Sequence, residues 1–221
     1  MIAVIIPAHN EADTLPRCLS ALRIAARAAE GAGHRVEIVV VLDRCSDSSA
    51  DIARDFAVET LEVDVRNVGQ ARRAGAELML QRGAHWLACT DADSCVPADW
   101  LLCQLGFAAD AVCGTVHIEE WQADQDQALR ERYLGHYQMR EGHRHIHGAN
   151  LGICARAYQR VGGFQPLALN EDVQLIQDLQ ACGANIVWTA LNTLSTSSRM
   201  VSPAQGGFGD YLRSLQQQPL S

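Results

Sequence analysis

Three apolar runs limit what this chain can become. Ile2 to Ile6, Val36 to Leu42 and Trp86 to Cys89 are nearly unbroken stretches of aliphatic and β-branched residues, and each stops at a polar turn. Such runs read as strands covered on both faces. The segments between them carry helical spacing. Leu15, Cys18, Leu19, Leu22 and Ala26 form one amphipathic stripe, a second helix is expected around Ala50 to Ala57, and a third opens at Asn67-Val68-Gly69 and runs through Leu78. Strand–helix alternation with short turns implies a parallel sheet flanked by helices. The expected class is therefore α/β: a mostly parallel, twisted, Rossmann-like sheet in a single domain.

Further along, Thr60 to Val65 is a weaker strand and Ala111 to Ile118 another. Asp124 to Arg144 reads as a polar surface helix, with Leu129, Tyr133, His136 and Tyr137 at helical spacing. A His-rich turn, His143 to Asn150, follows, then a short helix at Arg156 to Val161. Asn170-Glu171-Asp172 caps a long helix, Val173 to Cys182, and Asn185 to Thr189 is a last strand. The remainder, 196–221, carries Arg199, Gly206, Gly207 and Gly209 and is expected to be a flexible tail.

At 221 residues and 48% hydrophobic content, one domain can build a full core. The net charge of −8 excludes a nucleic-acid binder that works through a basic face. All 18 basic residues are Arg, so catalytic, Schiff-base and P-loop lysines are excluded. Guanidinium is then the permanent cation available for phosphate. Eight Cys at irregular spacing, with no C-x-x-C pair, read as reduced thiols rather than a zinc site. The opening segment, MIAVIIPAHNE, lacks the basic region of a signal peptide, and no segment is long enough to span a bilayer. The expected setting is the cytoplasm, with peripheral membrane contact as the closest approach to a bilayer.

Asp91-Ala92-Asp93 follows directly on the run Trp86 to Cys89. Two carboxylates at the C-terminal tip of a buried strand stand where open α/β sheets bind ligands. Hard oxygen donors suit Mg²⁺ or Mn²⁺, ions commonly held by one or two carboxylates together with substrate phosphates. The bland alternative is an acidic turn that caps the next helix.

VIIPAHNEADTLPRCL, VVVLDRCSDSSADIA, NVGQARRAGAELM, TDADS and GGFQPLALNEDVQLIQDLQACG occur in that order. Together they resemble the family 2 glycosyltransferases, which have a GT-A fold, over roughly residues 2 to 190. The resemblance implies a nucleotide-binding half (about 1–95) and an acceptor and catalytic half (about 96–195). It implies a nucleoside diphosphate sugar donor, most often UDP-linked, and a hydroxyl acceptor that is a small molecule, a glycan or carrier-linked. Pro7, Ala8, Asn10 and Glu11 would hold the nucleotide, with Glu11 on the ribose, and Asp43 would meet the base. Arg72 would reach the nucleotide or its phosphates, although Arg73 stands where the family usually has Asn. Asp93 would bind the metal, Asp91 would lie nearer the ribose, and His147 or His145 would be a further ligand. Gly148 and Asn150 would shape the acceptor side. Arg199 would clamp the diphosphate through its bidentate fork. Asp172, with Glu171 second, would be the general base of an inverting transfer.

Three rivals are set against this reading. A retaining enzyme on the same fold would share the metal site. A nucleotidyltransferase would need a Gly-rich loop with Lys, and PAHNEAD has neither. A non-catalytic nucleotide-sugar binding protein would bind donor without turnover.

Overall fold

The computed structural model of the chain describes residues 1–123, 125–200 and 207–217. Four strands, β1 (Ile2–Ala8), β2 (Val36–Asp43), β3 (Glu59–Val63) and β4 (Trp86–Cys89), run parallel in the order β3-β2-β1-β4. Helices α1 (Leu15–Gly31), α2 (Ser49–Asp55) and α3 (Val68–Gln81) connect them. After α4 (Trp100–Gly106) and β5 (Ala111–Ile118) come α5 (Gln127–His136), a 3₁₀ turn at Gly148–Asn150, β6 (Leu151–Cys154) and α6 (Ala155–Arg160). The last elements are α7 (Glu171–Ala181), β7 (Ile186–Thr196) and α8 (Phe208–Gln216). The seven-stranded order is β3-β2-β1-β4-β6-β5-β7.

Alternation along β1 builds both layers of core. Ile2, Val4 and Ile6 join α1, α4, α5 and α8 on one face, whereas Ala3 and Ile5 meet α3, α6 and α7 on the other. Each of these side chains is fully buried, which is worth about 1.5–3 kcal/mol apiece for Val or Ile. Gly75 lets α3 lie close on the sheet, since a Cβ there would sit 2.8 Å from Val41 and 2.9 Å from Ile5.

One strand reverses direction, and this decides where the site is. β6 pairs antiparallel with both β4 and β5, with Leu151 opposite Cys89. Its beginning therefore lies at the end of β4, and the turn at 148–150 arrives beside Asp91. β5 and β7 again run parallel to β4, so the segment after Thr196 reaches the same edge.

Several expectations need correction. The polar helix expected from Asp124 spans only Gln127–His136; Asp126 caps it by accepting from Leu129 N at 2.8 Å, and Asp124 itself lies outside the described residues. Tyr137 leaves the helix in an extended conformation, and its ring turns into the core. The last strand reaches Thr196 rather than Thr189, because the chain bulges between Thr189 and Thr193 before pairing resumes. Within the stretch expected to be a flexible tail, Phe208–Gln216 forms a helix that buries Leu212 and Leu215; Gly206 lies outside the described residues. β6 has no counterpart in the sequence reading.

Candidate active site

The ends of β1, β2 and β4 place four acidic residues, Glu11, Asp43, Asp91 and Asp93, along one edge of the sheet. Asp43 closes β2 and is buried; its Oδ1 accepts from the amides of Val65 (2.9 Å) and Arg66 (3.0 Å), and its Oδ2 from Asn67 (3.0 Å). It thereby fixes the loop that leads into α3, whose cap is Asn67, accepting from Gln70 N at 2.8 Å. Pro7 and Ala8 end β1. Asn10 adopts a left-handed backbone (φ 56°), and its Oδ1 accepts from Ser46 N at 2.7 Å, joining the loops after β1 and β2. Glu11 is 6% exposed and takes Thr14 Oγ1 on its carboxylate at 2.9 Å.

β1 and β4 flank the point where the strand order reverses, the crevice at which open α/β sheets bind ligands. Asp91 and Asp93 lie past the end of β4. Burial and the Asp91 charge push the Asp93 carboxyl up to about 6, partly offset by Arg199. Arg199 joins Glu11 through both terminal guanidinium nitrogens, Nη1 to Oε2 at 2.9 Å and Nη2 to Oε1, and its Nη2 lies 3.3 Å from Asp93 Oδ2.

A second guanidinium organises the other side. Arg72, on α3, is 4% exposed. Its Nη2 donates to Asp91 Oδ1 at 2.5 Å, and its Nη1 pairs with Glu171, the first residue of α7. Burial pulls its pKa down, but the Asp91 and Glu171 charges outweigh that and hold it above the usual guanidinium value. Burial pushes the Glu171 carboxyl above its ordinary pKa against the pull of Arg72. Two glycines make room: a Cβ on Gly69 would lie 2.5 Å from Glu171 Cγ, and one on Gly148 would strike the Arg72 guanidinium. The buried pair therefore locks α3 to α7. Asp172, the next residue, is only partly buried; its Oδ2 accepts from Gly148 N at 2.7 Å and its Oδ1 from Val173 N at 2.8 Å.

The sequence pattern of Glycosyl transferase family 2 matches residues 3–161, well over half of the chain. The chain belongs to that family. Comparison with curated proteins finds no match. Among solved structures, the chain is similar to Staphylococcus aureus TarS 1-349 in complex with UDP-GlcNAc, with TM-score 0.69 and 13% identity over 94% of this chain and 61% of that one. It is also similar to the mannosyltransferase PcManGT from Pyrobaculum calidifontis in complex with GDP-Man and Mn²⁺, with TM-score 0.64 and 18% identity over 96% of this chain and 60% of that one. At such identities these likenesses bear on the fold, which is GT-A. The chain spans about three fifths of each of those structures.

The remaining residues singled out from the sequence of this family 2 member fall apart into two groups. His143, His145 and His147 form a ladder of near-parallel rings with centroids 5.5 and 5.9 Å apart, and Tyr137 stacks on His145 at 4.2 Å. Tyr137 Oη accepts from Val116 N (3.0 Å), which leaves its own hydrogen for His147 Nε2 at 2.8 Å. Burial, with His145 and His143, pulls the His147 imidazolium down to about 3, so the ring is neutral. His147 reaches the site through its backbone neighbour Gly148, and its Nε2 is engaged by Tyr137. Asn150 turns into the core, where its amide bonds Trp100 Nε1, Thr115 O and Asn192 O. Arg73 also points away, to Glu77 and the Phe164 carbonyl.

No three His, Cys, Asp or Glu side chains gather into a metal cage among the described residues. A Mg²⁺- or Mn²⁺-type ion needs only one or two carboxylates when phosphates and water supply the rest. Asp91 and Asp93 meet that chemistry, and the Asp93 carboxyl, raised first by burial and then by the Asp91 charge, is one whose ionised form a cation would favour. The sequence reading placed Gly148 on the acceptor side but not its amide on Asp172, and it missed Thr196 and Ser94, whose hydroxyls lie 3.5 Å from Asp93 Oδ1. A backbone donor leaves no residue-type signal, and Thr196 is brought to Asp93 by a strand more than a hundred residues later.

Proposed function

We propose that this chain is a metal-dependent glycosyltransferase that moves a sugar from a nucleoside diphosphate sugar, UDP-linked, to an acceptor hydroxyl with inversion. The observation that carries this is Arg72, one buried guanidinium gripping both Asp91 on the donor side and the first residue of the helix that bears Asp172. It fixes the distance between the place where the donor's phosphates would sit and the place where a proton would be taken, and pre-set geometry of that kind is a main source of rate.

The nucleoside is assigned to Pro7, Ala8, Asn10, Glu11 and Asp43, with Glu11 accepting from the ribose. Arg199 is assigned to the diphosphate. Arg72, both of whose Nη atoms are engaged, is assigned to positioning. Asp93, with Asp91, would hold Mg²⁺ or Mn²⁺, which when bound offsets the charge building on the leaving diphosphate. Asp172 takes the proton from the acceptor hydroxyl. The hydroxyl oxygen then attacks the anomeric carbon on the face opposite the diphosphate, and the electrons of the breaking C–O bond leave on the phosphate oxygen. Glu171 is buried against Arg72, which favours Asp172 as the base. No helix among the described residues is long and apolar enough to cross a membrane, and eight free thiols suit a reducing cytoplasm.

Incubation with UDP-sugars and Mn²⁺, scored for nucleotide release and for the anomer of the product, tests this reading. An inverted product that needs both metal and Asp172 supports it, whereas a retained anomer overturns the base assignment.

A further inference from the structure

Three residues whose roles were assigned separately are tied together. Glu11, for the ribose, and Asp93, for the metal, are held by a single cation, Arg199, which is itself assigned to the diphosphate. We propose that Arg199 is an exchangeable counter-ion that makes metal and nucleotide bind together. In the donor-free protein its guanidinium blocks both carboxylates, and the two ligands enter by displacing it. This rests on the donor-site reading above.

The contact is supported by its surroundings. Arg199 leaves the sheet directly after β7, and its neighbour Ser198 is buried. Ser198 O accepts from Gln125 Nε2 at 2.5 Å, and Ser198 Oγ accepts from Gln122 N at 3.0 Å. Arg199 N donates to Ser197 Oγ at 3.1 Å. The start of α8 packs on the same backbone, since a Cβ on Gly209 would lie 2.9 Å from Arg199 O and 3.0 Å from Met200 O. The guanidinium is therefore presented from a fixed strap, and only its side chain must move. One donor is left over: Arg199 Nε is buried and has no partner among the described residues. Two carboxylates have filled the Nη atoms without using the whole fork, and a tetrahedral phosphate oxygen would take the remaining N–H.

Charge explains why the exchange needs both ligands. The resting cluster of Glu11, Asp93 and Arg199 carries one net negative charge, counting each group at its ordinary ionisation. A divalent cation arriving alone at Asp93 meets a guanidinium 3.3 Å from the same carboxylate oxygen. A diphosphate arriving alone meets Glu11 and Asp93, and if it draws Arg199 away it leaves both carboxylates uncompensated. Together they offset this, because the metal replaces Arg199 at Asp93, the diphosphate receives the displaced guanidinium, and Glu11 accepts from the ribose hydroxyls in its place. The affinity of each ligand then depends on the other by one shared factor.

The test uses the full chain as wild type, Arg199→Met and Arg199→Lys. Mn²⁺ binding is read from the EPR signal of free Mn²⁺, with and without UDP, and with GDP in a parallel series. For the wild type, the nucleotide should tighten Mn²⁺ by more than about tenfold, within the usual range of coupling between sites. In Arg199→Met, Mn²⁺ alone should bind about tenfold tighter than to wild type, and the coupling should shrink below about threefold. Arg199→Lys, which keeps the charge but loses the fork, should fall between. Equal Mn²⁺ affinity in wild type and Arg199→Met, or undiminished coupling in that variant, overturns the exchange and leaves the metal site standing. Wild type without coupling overturns it even if the variants fail to fold. No Mn²⁺ binding with either nucleotide overturns the donor-site reading itself, and the exchange with it.

Discussion

The amide of Gly148 donates to Asp172 Oδ2 at 2.7 Å, so the carboxylate assigned as base is aimed by backbone rather than by another side chain. The peptide that supplies this N–H is held on its other side as well, where His147 O accepts from Asn150 N at 2.9 Å. An amide donor orients the carboxylate and leaves it free to accept a proton.

Asp172→Asn should therefore preserve the fold while removing the chemistry. A carboxamide oxygen can still accept from Gly148, but it cannot take the acceptor proton. The expected loss of turnover is about 10²- to 10⁴-fold, the usual worth of a general base. Donor affinity, measured calorimetrically, should stay within about twofold, because the mutation removes a group acting only in the transition state.

Asp93→Asn should do the opposite. Removing the charge assigned to the metal should abolish the metal dependence of donor binding, visible as equal nucleotide affinity with Mn²⁺ and with EDTA. If both variants lose binding equally, the division of labour between Asp93 and Asp172 is wrong.

Arg72→Met tests the lock between α3 and α7. It leaves Glu171, 5% exposed, as an unpaired buried acid. Breaking one side of a buried pair costs about 3–5 kcal/mol. Urea unfolding should show that loss, and the double change Arg72→Met with Glu171→Gln should recover part of it. A cost below about 1 kcal/mol in the single variant would mean that Arg72 behaves like a surface ion pair.

These contacts mark the boundary of what the sequence discloses. The position of Asp91 and Asp93 is legible because a short apolar run bounded by polar turns, set among alternating strands and helices, reads as a strand with the carboxylates at its tip. The pairing of Arg72 with Glu171 is not, since it depends on α7 returning to α3 across 99 positions. β6 is hidden for a local reason: LGIC is a four-residue strand entered directly from a turn and left directly into a helix, with no room for a period to show. In the segment after Thr196, the glycines suggest mobility, whereas Leu212 and Leu215 at helical spacing, buried on the α5 side of the fold, decide for a helix. His147 shows the same lesson in chemistry. A His-rich turn suggests a ligand, and nothing in its spacing discloses that Tyr137 Oη would stand 2.8 Å from the Nε2 of the half-buried His147 ring.

That burial has a pH signature. An unfolded His titrates near 6.5, and His147 in the fold is depressed to about 3. Between these values the unfolded chain binds the extra proton, so this contribution is complete above pH 6.5 and is lost as pH falls toward 3. At its steepest the loss is about 1.4 kcal/mol per pH unit. Melting curves between about pH 7.5 and 4.5 should show a steeper acid decline in wild type than in His147→Gln. Parallel declines would remove His147 as the cause.

The central claim, a metal-assisted nucleotide-sugar site at the ends of β1 and β4, is tested most directly by a thermal-shift titration against UDP, GDP, CDP and dTDP, each with and without Mn²⁺. A ligand of the native state raises stability by about 2.7 kcal/mol at a hundredfold excess over its dissociation constant. The account predicts a shift with one of these nucleotides that appears only when Mn²⁺ is present, with UDP the expected one. No shift with any nucleotide, or a shift indifferent to the metal, would contradict it.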